Sequence, residues 1–320
     1  MELRKDYLLD RFVIISPKRA ERPKEFEKVE REISDKAKCP FCPENEHLVP
    51  QVLDEVKEKG KWIIRSITNK FAAVSLEGDP AVRTDNEFFT FASAYGYHEV
   101  LIETRDHGVE LEELPEEHIA KVIEMYIKRI KALNDKEHIK YVAVFKNRGM
   151  EAGASITHSH SQIIAFNEVP SAVREKLKAY HEYYIKNETC PYCRIMNIEK
   201  GSYRSVLESE HFIAFTPYAS QFHYELWIFP KRHVSMITLL NNDEVKDLAS
   251  VLKQVLTKLD KLDYPAFNME ICNSGVPEED FHFHIEIMPR MAIWAGFEFE
   301  TGVTINSIPP EDAAAFYKEK

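Results

Sequence analysis

Residues 141–166 read Tyr141-Val-Ala-Val-Phe-Lys-Asn-Arg-Gly-Met-Glu-Ala-Gly-Ala-Ser-Ile-Thr-His158-Ser-His160-Ser-Gln162-Ile-Ile-Ala-Phe166. One apolar, β-branched run opens this stretch and another closes it, with a polar turn containing Gly149 and Gly153 between them. That pattern predicts two strands joined by a turn. In the second run His158, His160 and Gln162 recur every two residues, so a strand places all three on one face, with Ser159 and Ser161 on the other. Two imidazoles and an amide on one face are costly unless each finds a polar partner. A lone histidine there would read as a satisfied polar edge; the triplet beside a glycine-rich turn reads as a reactive site. The chemistry that suits it is nucleophilic attack on phosphorus. One imidazole attacks, the amide donates to phosphoryl oxygens, and backbone N–H groups near Gly153–Ser155 receive the negative charge.

The spacing of Asn147, Gly149, Gly153, Ser155, His158, His160 and Gln162 resembles the transferase branch of the histidine-triad superfamily, the galactose-1-phosphate uridylyltransferases. That branch has Gln where hydrolases carry a third His. The resemblance implies His160 as the nucleophile, Gln162 and Ser155 beside it in catalysis, and Asn147 and Gly153 in substrate binding. Ser159 stands where the family has Pro, a change expected to loosen the backbone without removing a reactive group. At the N-terminus Pro17-Lys-Arg19-Ala-Glu-Arg22-Pro23 matches a segment whose two arginines, here Arg19 and Arg22, serve nucleotide phosphates by bidentate pairing. Asn69-Lys-Phe71 matches the segment that holds uridine.

At 320 residues, 44% hydrophobic and 30% charged, the chain has the composition of a soluble globular protein with ample core. It has no run of 18 apolar residues, and Met-Glu-Leu-Arg-Lys-Asp at the start lacks a signal-peptide pattern. The expectation is a cytoplasmic protein with no membrane partner. A net charge of −11 argues against nucleic-acid binding, so a phosphorylated substrate must be met by local cations.

The second half repeats the first. Cys190-Pro-Tyr-Cys193 echoes Cys39-Pro-Phe-Cys42, and Tyr224-Glu225 echoes His98-Glu99. His233 follows Glu225 as His107 follows Glu99, a helix with Val245, Leu248, Leu252, Val255 and Leu259 inward matches one with Ile119, Val122, Ile123, Tyr126, Ile127 and Ile130 inward, and His282-Phe-His284-Ile-Glu286 echoes His158–Gln162. Five features in the same order indicate an internal duplication. The fold class expected is α+β: a tandem duplication of a histidine-triad-like unit, residues 1–170 (catalytic) and 171–320 (second metal, sugar-binding segment). Each half has antiparallel strands with helices packed on one face.

Cys-x-x-Cys pairs in a cytosolic protein are metal knuckles or redox motifs, and two matching pairs favour metal. Each copy supplies two Cys, a loop His and the first His of the strand motif: Cys39, Cys42, His107 and His158, then Cys190, Cys193, His233 and His282. Two thiolates and two imidazoles form a closed tetrahedral set suited to structural zinc, giving two predicted zinc sites. A metallated His158 leaves His160 free. In the second motif a carboxylate at Glu286 would repel a phosphate, so that copy reads as silent.

The resemblance implies a ping-pong uridylyltransferase acting on UDP-glucose or UDP-galactose and hexose 1-phosphates, as a homodimer with sites shared across its interface. Two alternatives stay open: an ADP-glucose or nucleotide-sugar phosphorylase using the same histidine, and a non-enzymatic zinc-stabilised nucleotide-binding module. The sugar segment departs most from the family. Glu298 is kept, but Phe297 replaces a Tyr, Ala292 a Lys and Thr304 a Gln. Losing three polar partners predicts relaxed choice between epimeric sugars.

Overall fold

The computed structural model describes residues 1–21, 34–275 and 280–319, so Arg22 lies outside the described residues. In chain order the strands and helices are β1 (Glu2–Lys5), β2 (Phe12–Ile15), β3 (Val52–Glu58), β4 (Lys61–Thr68), β5 (Arg83–Thr84), β6 (Thr90–Phe91), β7 (Gly96–Ile102), α1 (Glu116–Asn134), β8 (Tyr141–Arg148) and β9 (His160–Phe166). There follow α2 (Ser171–Asn187), α3 (Pro191–Glu199), β10 (Ser205–Glu208), β11 (Phe212–Phe215), β12 (Leu226–Pro230), α4 (Asn242–Leu259), β13 (Phe267–Cys272), β14 (His284–Pro289), α5 (Gly296–Thr301), β15 (Thr304–Asn306) and α6 (Pro310–Lys318).

One sheet of ten strands organises the molecule, in the order β10-β11-β12-β14-β13-β8-β9-β7-β4-β3. Read outward from its middle, each half repeats the other: β8 answers β13, β9 answers β14, β7 answers β12, β4 answers β11 and β3 answers β10. The sequence pointed to a sheet in each half. Instead the two run on as one, because β8 and β13 pair antiparallel, Asn147 opposite Asn268 and Arg148 opposite Phe267. At the end of β8 the chain turns through Gly149, whose φ of +83° suits glycine. A Cβ there would come within 2.6 Å of Ala266 Cβ, so the turn and the seam both exclude a side chain.

The two long helices form where the sequence provides caps and one apolar face. Pro115 precedes α1, with Glu116 and Glu117 in its first turn; Asn241 and Glu244 make a reciprocal capping box on α4. The buried faces of α1 and α4 share one core with Val142, Val144, Ile163, Met269 and Ile285 from the sheet. On the opposite face, the Cys39–Cys42 loop packs over Trp62, Ile67, Val100 and Ile102 in the first half. There, in the second half, α2 and α3 pack over Ile213, Phe215, Trp227 and Phe229. The alternation along each strand therefore fills two cores, and the candidate site lies on the face away from α1 and α4.

Candidate functional site

Strand β9 begins at His160, so His158 lies just before it in a bend rather than within it. His158 still points to the predicted face. Its Nδ1 lies 3.6 Å from Cys39 Sγ and 3.7 Å from Cys42 Sγ, while its Nε2–H donates to Thr104 O at 2.8 Å. His107 Nδ1 is 3.4 Å from Cys42 Sγ, and its Nε2–H donates to Ser34 O at 2.7 Å. The second cluster repeats this arrangement. Cys193 Sγ lies 3.4 Å from Nδ1 of both His233 and His282, Cys190 Sγ is 3.8 Å from His282 Nδ1, and Pro230 O and Asp280 Oδ1 engage the outer nitrogens of His282 and His233. All four ligand atoms of each cluster fall within 4.8 Å of one another. In every case the outer partner fixes the ring so that Nδ1 faces the thiols, the arrangement metal-binding histidines use. Burial and the neighbouring Cys39 push the Cys42 thiol up to about 12. Paired thiolates therefore need a cation between them, and the donor chemistry fits a zinc-type ion in both clusters.

His160 is engaged the other way round. Its Nδ1–H donates to His158 O at 2.8 Å, which leaves the lone pair of the neutral ring on Nε2. Burial lowers the pKa of this imidazole, favouring the neutral form. The Phe41 ring, between the two cysteines of its loop, meets His160 edge-on at 5.3 Å. Thus the cysteine loop both supplies thiols and packs the candidate nucleophile. A cavity of about 640 Å³ opens beside His160, lined by Asn147, Gly149, Ser155 and Ser159 among others, and is of a size that takes a nucleotide-sized ligand.

Two amides approach this region with their oxygens engaged. Asn147 Oδ1 accepts from Asn268 Nδ2 at 2.9 Å, a contact delivered across the β8–β13 seam. Gln162 Oε1 lies 2.9 Å from His98 Nε2. Neither Asn268 nor His98 emerged from the sequence as a site residue, although His98 opens a dipeptide that the second half echoes. The expected anion nest is narrower than predicted: the N–H groups of Gly153 and Ala154 are spent inside the turn on Met150 O and Gly149 O. Only the N–H of Ser155 has no partner there among the described residues.

Ser159 does more than loosen the backbone. Its hydroxyl accepts from the buried Lys146 at 2.9 Å and lies 2.7 Å from Glu103 Oε2 and 3.1 Å from Glu110 Oε2. Lys146 also donates to Glu103 at 2.7 Å, and Tyr126 of α1 reaches both Glu103 (2.9 Å) and Ser161 (2.6 Å). Burial alone would raise the Glu103 pKa, but the Lys146 ammonium and these hydroxyls outweigh it and hold the carboxyl below its usual range. Where the family pattern has a proline, this chain braces the strand behind His160 with a buried charged network.

The remaining predicted residues are dispersed. Arg19 lies in the short helical turn Pro17–Glu21, and Phe71 projects into solvent at 84% exposure. Glu298 accepts from the N–H of Ala295 at the start of its own helix, and Thr304 is buried in the small sheet opposite Val13. None of Arg19, Phe71, Phe297 and Glu298 lines the cavity at His160. In the second half His284 matches His160, with Nδ1–H donating to His282 O at 2.9 Å. The pocket's counterpart is filled: Lys176 from α2 places Nζ 2.7 Å from Glu286 and 3.6 Å from Cys272 Sγ. Burial works against the Glu286 carboxylate, yet Lys176 holds its pKa well down, so the ammonium–carboxylate pair occupies this copy.

Known proteins resemble this chain over its whole length. The family described as "Galactose-1-phosphate uridyl transferase, N-terminal domain" matches residues 1–170, and "Domain of unknown function (DUF4921)" matches residues 103–316. The chain is 34% identical to the galactose-1-phosphate uridylyltransferase of Thermotoga maritima, over 100% of this chain and 98% of that one. An ADP-glucose phosphorylase from Arabidopsis thaliana, solved with bound ADP-glucose, superposes with a TM-score of 0.86 at 34% identity, covering 100% of this chain and 99% of the other. A solved uridylyltransferase gives a TM-score of 0.76 at 28% identity, over 99% and 97% of the two chains.

Proposed function

The chain belongs to the galactose-1-phosphate uridylyltransferase family, and from that premise we propose that it is a nucleotidyltransferase that moves a uridylyl group between hexose 1-phosphates through a covalent His160 intermediate. The observation that carries this reading is the commitment of His160 Nδ1–H to the His158 carbonyl, which frees Nε2 beside a cavity of about 640 Å³. In the first half-reaction Nε2 attacks the α-phosphorus of UDP-glucose. The N–P bond forms as the bond from that phosphorus to the bridging oxygen breaks, and glucose 1-phosphate leaves with the electron pair. A second hexose 1-phosphate then attacks the same phosphorus and returns His160 to its neutral form. A phosphate leaving group needs little protonation, so the amides of Gln162 and Asn147 and the Ser155 hydroxyl serve as hydrogen-bond donors rather than acids. Asn69 and Phe71 hold the nucleoside, Gly153 lets the turn approach the phosphates, and Arg19 and Arg22 meet their charge.

Zinc at Cys39, Cys42, His107 and His158, and at Cys190, Cys193, His233 and His282, is structural in this reading: it fixes the loop behind His160 and supplies no reacting group. The enzyme acts in the cytoplasm as a homodimer. In this reading the segment carrying Phe297 and Glu298 binds the sugar in a site shared across the dimer interface.

The likeness to an ADP-glucose phosphorylase favours a second reading, in which phosphate is the acceptor and ADP-glucose the donor. One assay separates them: labelled UDP-glucose with galactose 1-phosphate, beside labelled ADP-glucose with inorganic phosphate. Transfer in the first mixture, with an acid-labile nucleotidyl adduct that disappears in His160→Ala, is the expected result. Turnover only in the second mixture replaces the acceptor assignment, and inertness in both leaves a nucleotide-binding module. An active His160→Ala protein ends the mechanism.

A further inference from the structure

His98 lies on β7 and reaches the same sheet face as Gln162, whose Cα neighbour across the ladder is Val100. Its ring is held from two sides. The backbone N–H of Ala73 donates to His98 Nδ1 at 3.1 Å, and a backbone N–H can only donate. Nδ1 is therefore an acceptor, and the hydrogen of the neutral ring sits on Nε2. Two side chains face that hydrogen. Asn69 Nδ2 is 3.0 Å away, but Asn69 Oδ1 is fixed on the N–H of Phe71 at 2.8 Å, so Asn69 presents a nitrogen and cannot accept. Gln162 Oε1, at 2.9 Å, is the acceptor in reach. Burial lowers the His98 pKa, which keeps the ring neutral at pH 7.

We propose that His98 is a positioning residue for phosphoryl transfer: it binds the Gln162 carbonyl oxygen, leaves both amide N–H bonds free for the phosphoryl group at His160, and couples that orientation to the loop of residues 69–73. An unheld glutamine amide can present oxygen or nitrogen, and an oxygen turned toward a phosphate repels it. Ala73 thus sets a tautomer, the tautomer sets an amide, and the amide faces the reacting phosphorus. The loop that starts this chain carries Asn69 and Phe71, so nucleoside capture and donor alignment share one set of hydrogen bonds. The second half supports the pairing. Gln162 stands opposite Val100 and Glu286 opposite Trp227, so Glu225 takes the place of His98 in the filled copy, and its carboxylate accepts instead from the N–H groups of Gln221 at 2.6 Å and Phe222 at 3.1 Å. Both members of the pair change together in the copy that holds Lys176.

The inference rests on the nucleotidyl-transfer reading, and the test keeps the two apart. Single-turnover formation of the His160 adduct from labelled UDP-glucose and from labelled ADP-glucose is measured for wild type, His98→Ala, Gln162→Ala and the double variant. His98→Ala should slow adduct formation about 10- to 100-fold, with nucleotide affinity changed less. Added to Gln162→Ala it should cost less than about twofold more, because its effect passes through the missing amide. His98→Gln, which can return an N–H donor toward Gln162, should recover most of the rate. Losses that multiply in the double variant overturn the proposal. No adduct in the wild type with either donor overturns the transfer reading instead. A measurement on the wild type stands apart from both: 15N NMR of histidine-labelled protein should show His98 as the neutral Nε2–H tautomer at pH 7. The Nδ1–H tautomer or an imidazolium there overturns the proposal whether or not any variant folds.

Discussion

What a histidine does in this chain follows from which ring nitrogen its neighbours engage. His158 and His107 give Nε2 to carbonyls and turn Nδ1 to thiols, whereas His160 gives Nδ1 to a carbonyl and, in the proposed mechanism, keeps Nε2 for chemistry. His223, buried against Ser307, follows a third course. Burial lowers its pKa to about 4, against about 6.5 for an exposed imidazole. Its folded pKa is the lower one, so its contribution to stability is complete above pH 6.5 and is lost as pH falls from 6.5 toward 4. Between pH 7 and 5 this amounts to about 2 kcal/mol. Denaturant titrations at the two pH values should show that much less acid sensitivity in His223→Gln than in wild type. At Glu298 the expected effect is on substrate choice. With Phe297, Ala292 and Thr304 lacking the usual polar groups, galactose 1-phosphate and glucose 1-phosphate should differ by less than about 2 kcal/mol in specificity. Glu298→Gln should weaken both sugars while leaving adduct formation largely intact. Competition kinetics with a preference of thousands-fold for galactose 1-phosphate would contradict this.

Elements were legible in the sequence where one periodicity governed them. The apolar faces of α1 and α4, the strand carrying His160 and Gln162, and both Cys-x-x-Cys loops follow from spacings of 3.6, 2 and 3 residues. Partners brought from far along the chain were not legible. His98 meets Gln162 from 64 residues away, Asn268 meets Asn147 from 121, and Lys176 meets Glu286 from 110. No local period encodes such distances, and the repeat, which includes His98-Glu99, marks a position without naming its partner. The start of α3 allows a clean test at this scale. Cys190 Sγ accepts from the Cys193 N–H at 3.3 Å, so it caps the helix as well as facing the cluster. A serine hydroxyl can still cap, and Cys190→Ser therefore removes chiefly the metal ligand. Elemental analysis should fall from about two zinc-type ions per chain to about one, with a lower Tm and little change in adduct formation. One ion or none in intact wild-type protein would contradict the assignment.

Across the whole molecule, the β8–β13 seam turns two copies of a unit into one body. The sheet continues through it, α1 and α4 share one core, and Asn268 crosses it to hold Asn147. The halves should therefore not be separable. Residues 1–170 produced alone should show weak protection of the β8 amides in hydrogen exchange and should associate, while co-production with residues 171–320 should restore protection. A monomeric first half with native protection along β8 would show that the seam is dispensable.

The same seam has a cost in time. Asn147 leaves the ribosome 121 residues before its partner Asn268, so at 5–20 residues per second β8 waits roughly 6 to 24 s for β13. For that interval the nascent first half can bury α1 against β8, β9 and β7, yet one long edge of its sheet stays open beside whatever other chains are near. Its fate depends on how crowded the neighbourhood is, and polysomes, which place identical bare edges side by side, are where it is most exposed. The yield of this protein should thus respond to the rate of translation between residues 148 and 267, a dependence that expression with synonymous slow and fast codons across that interval measures.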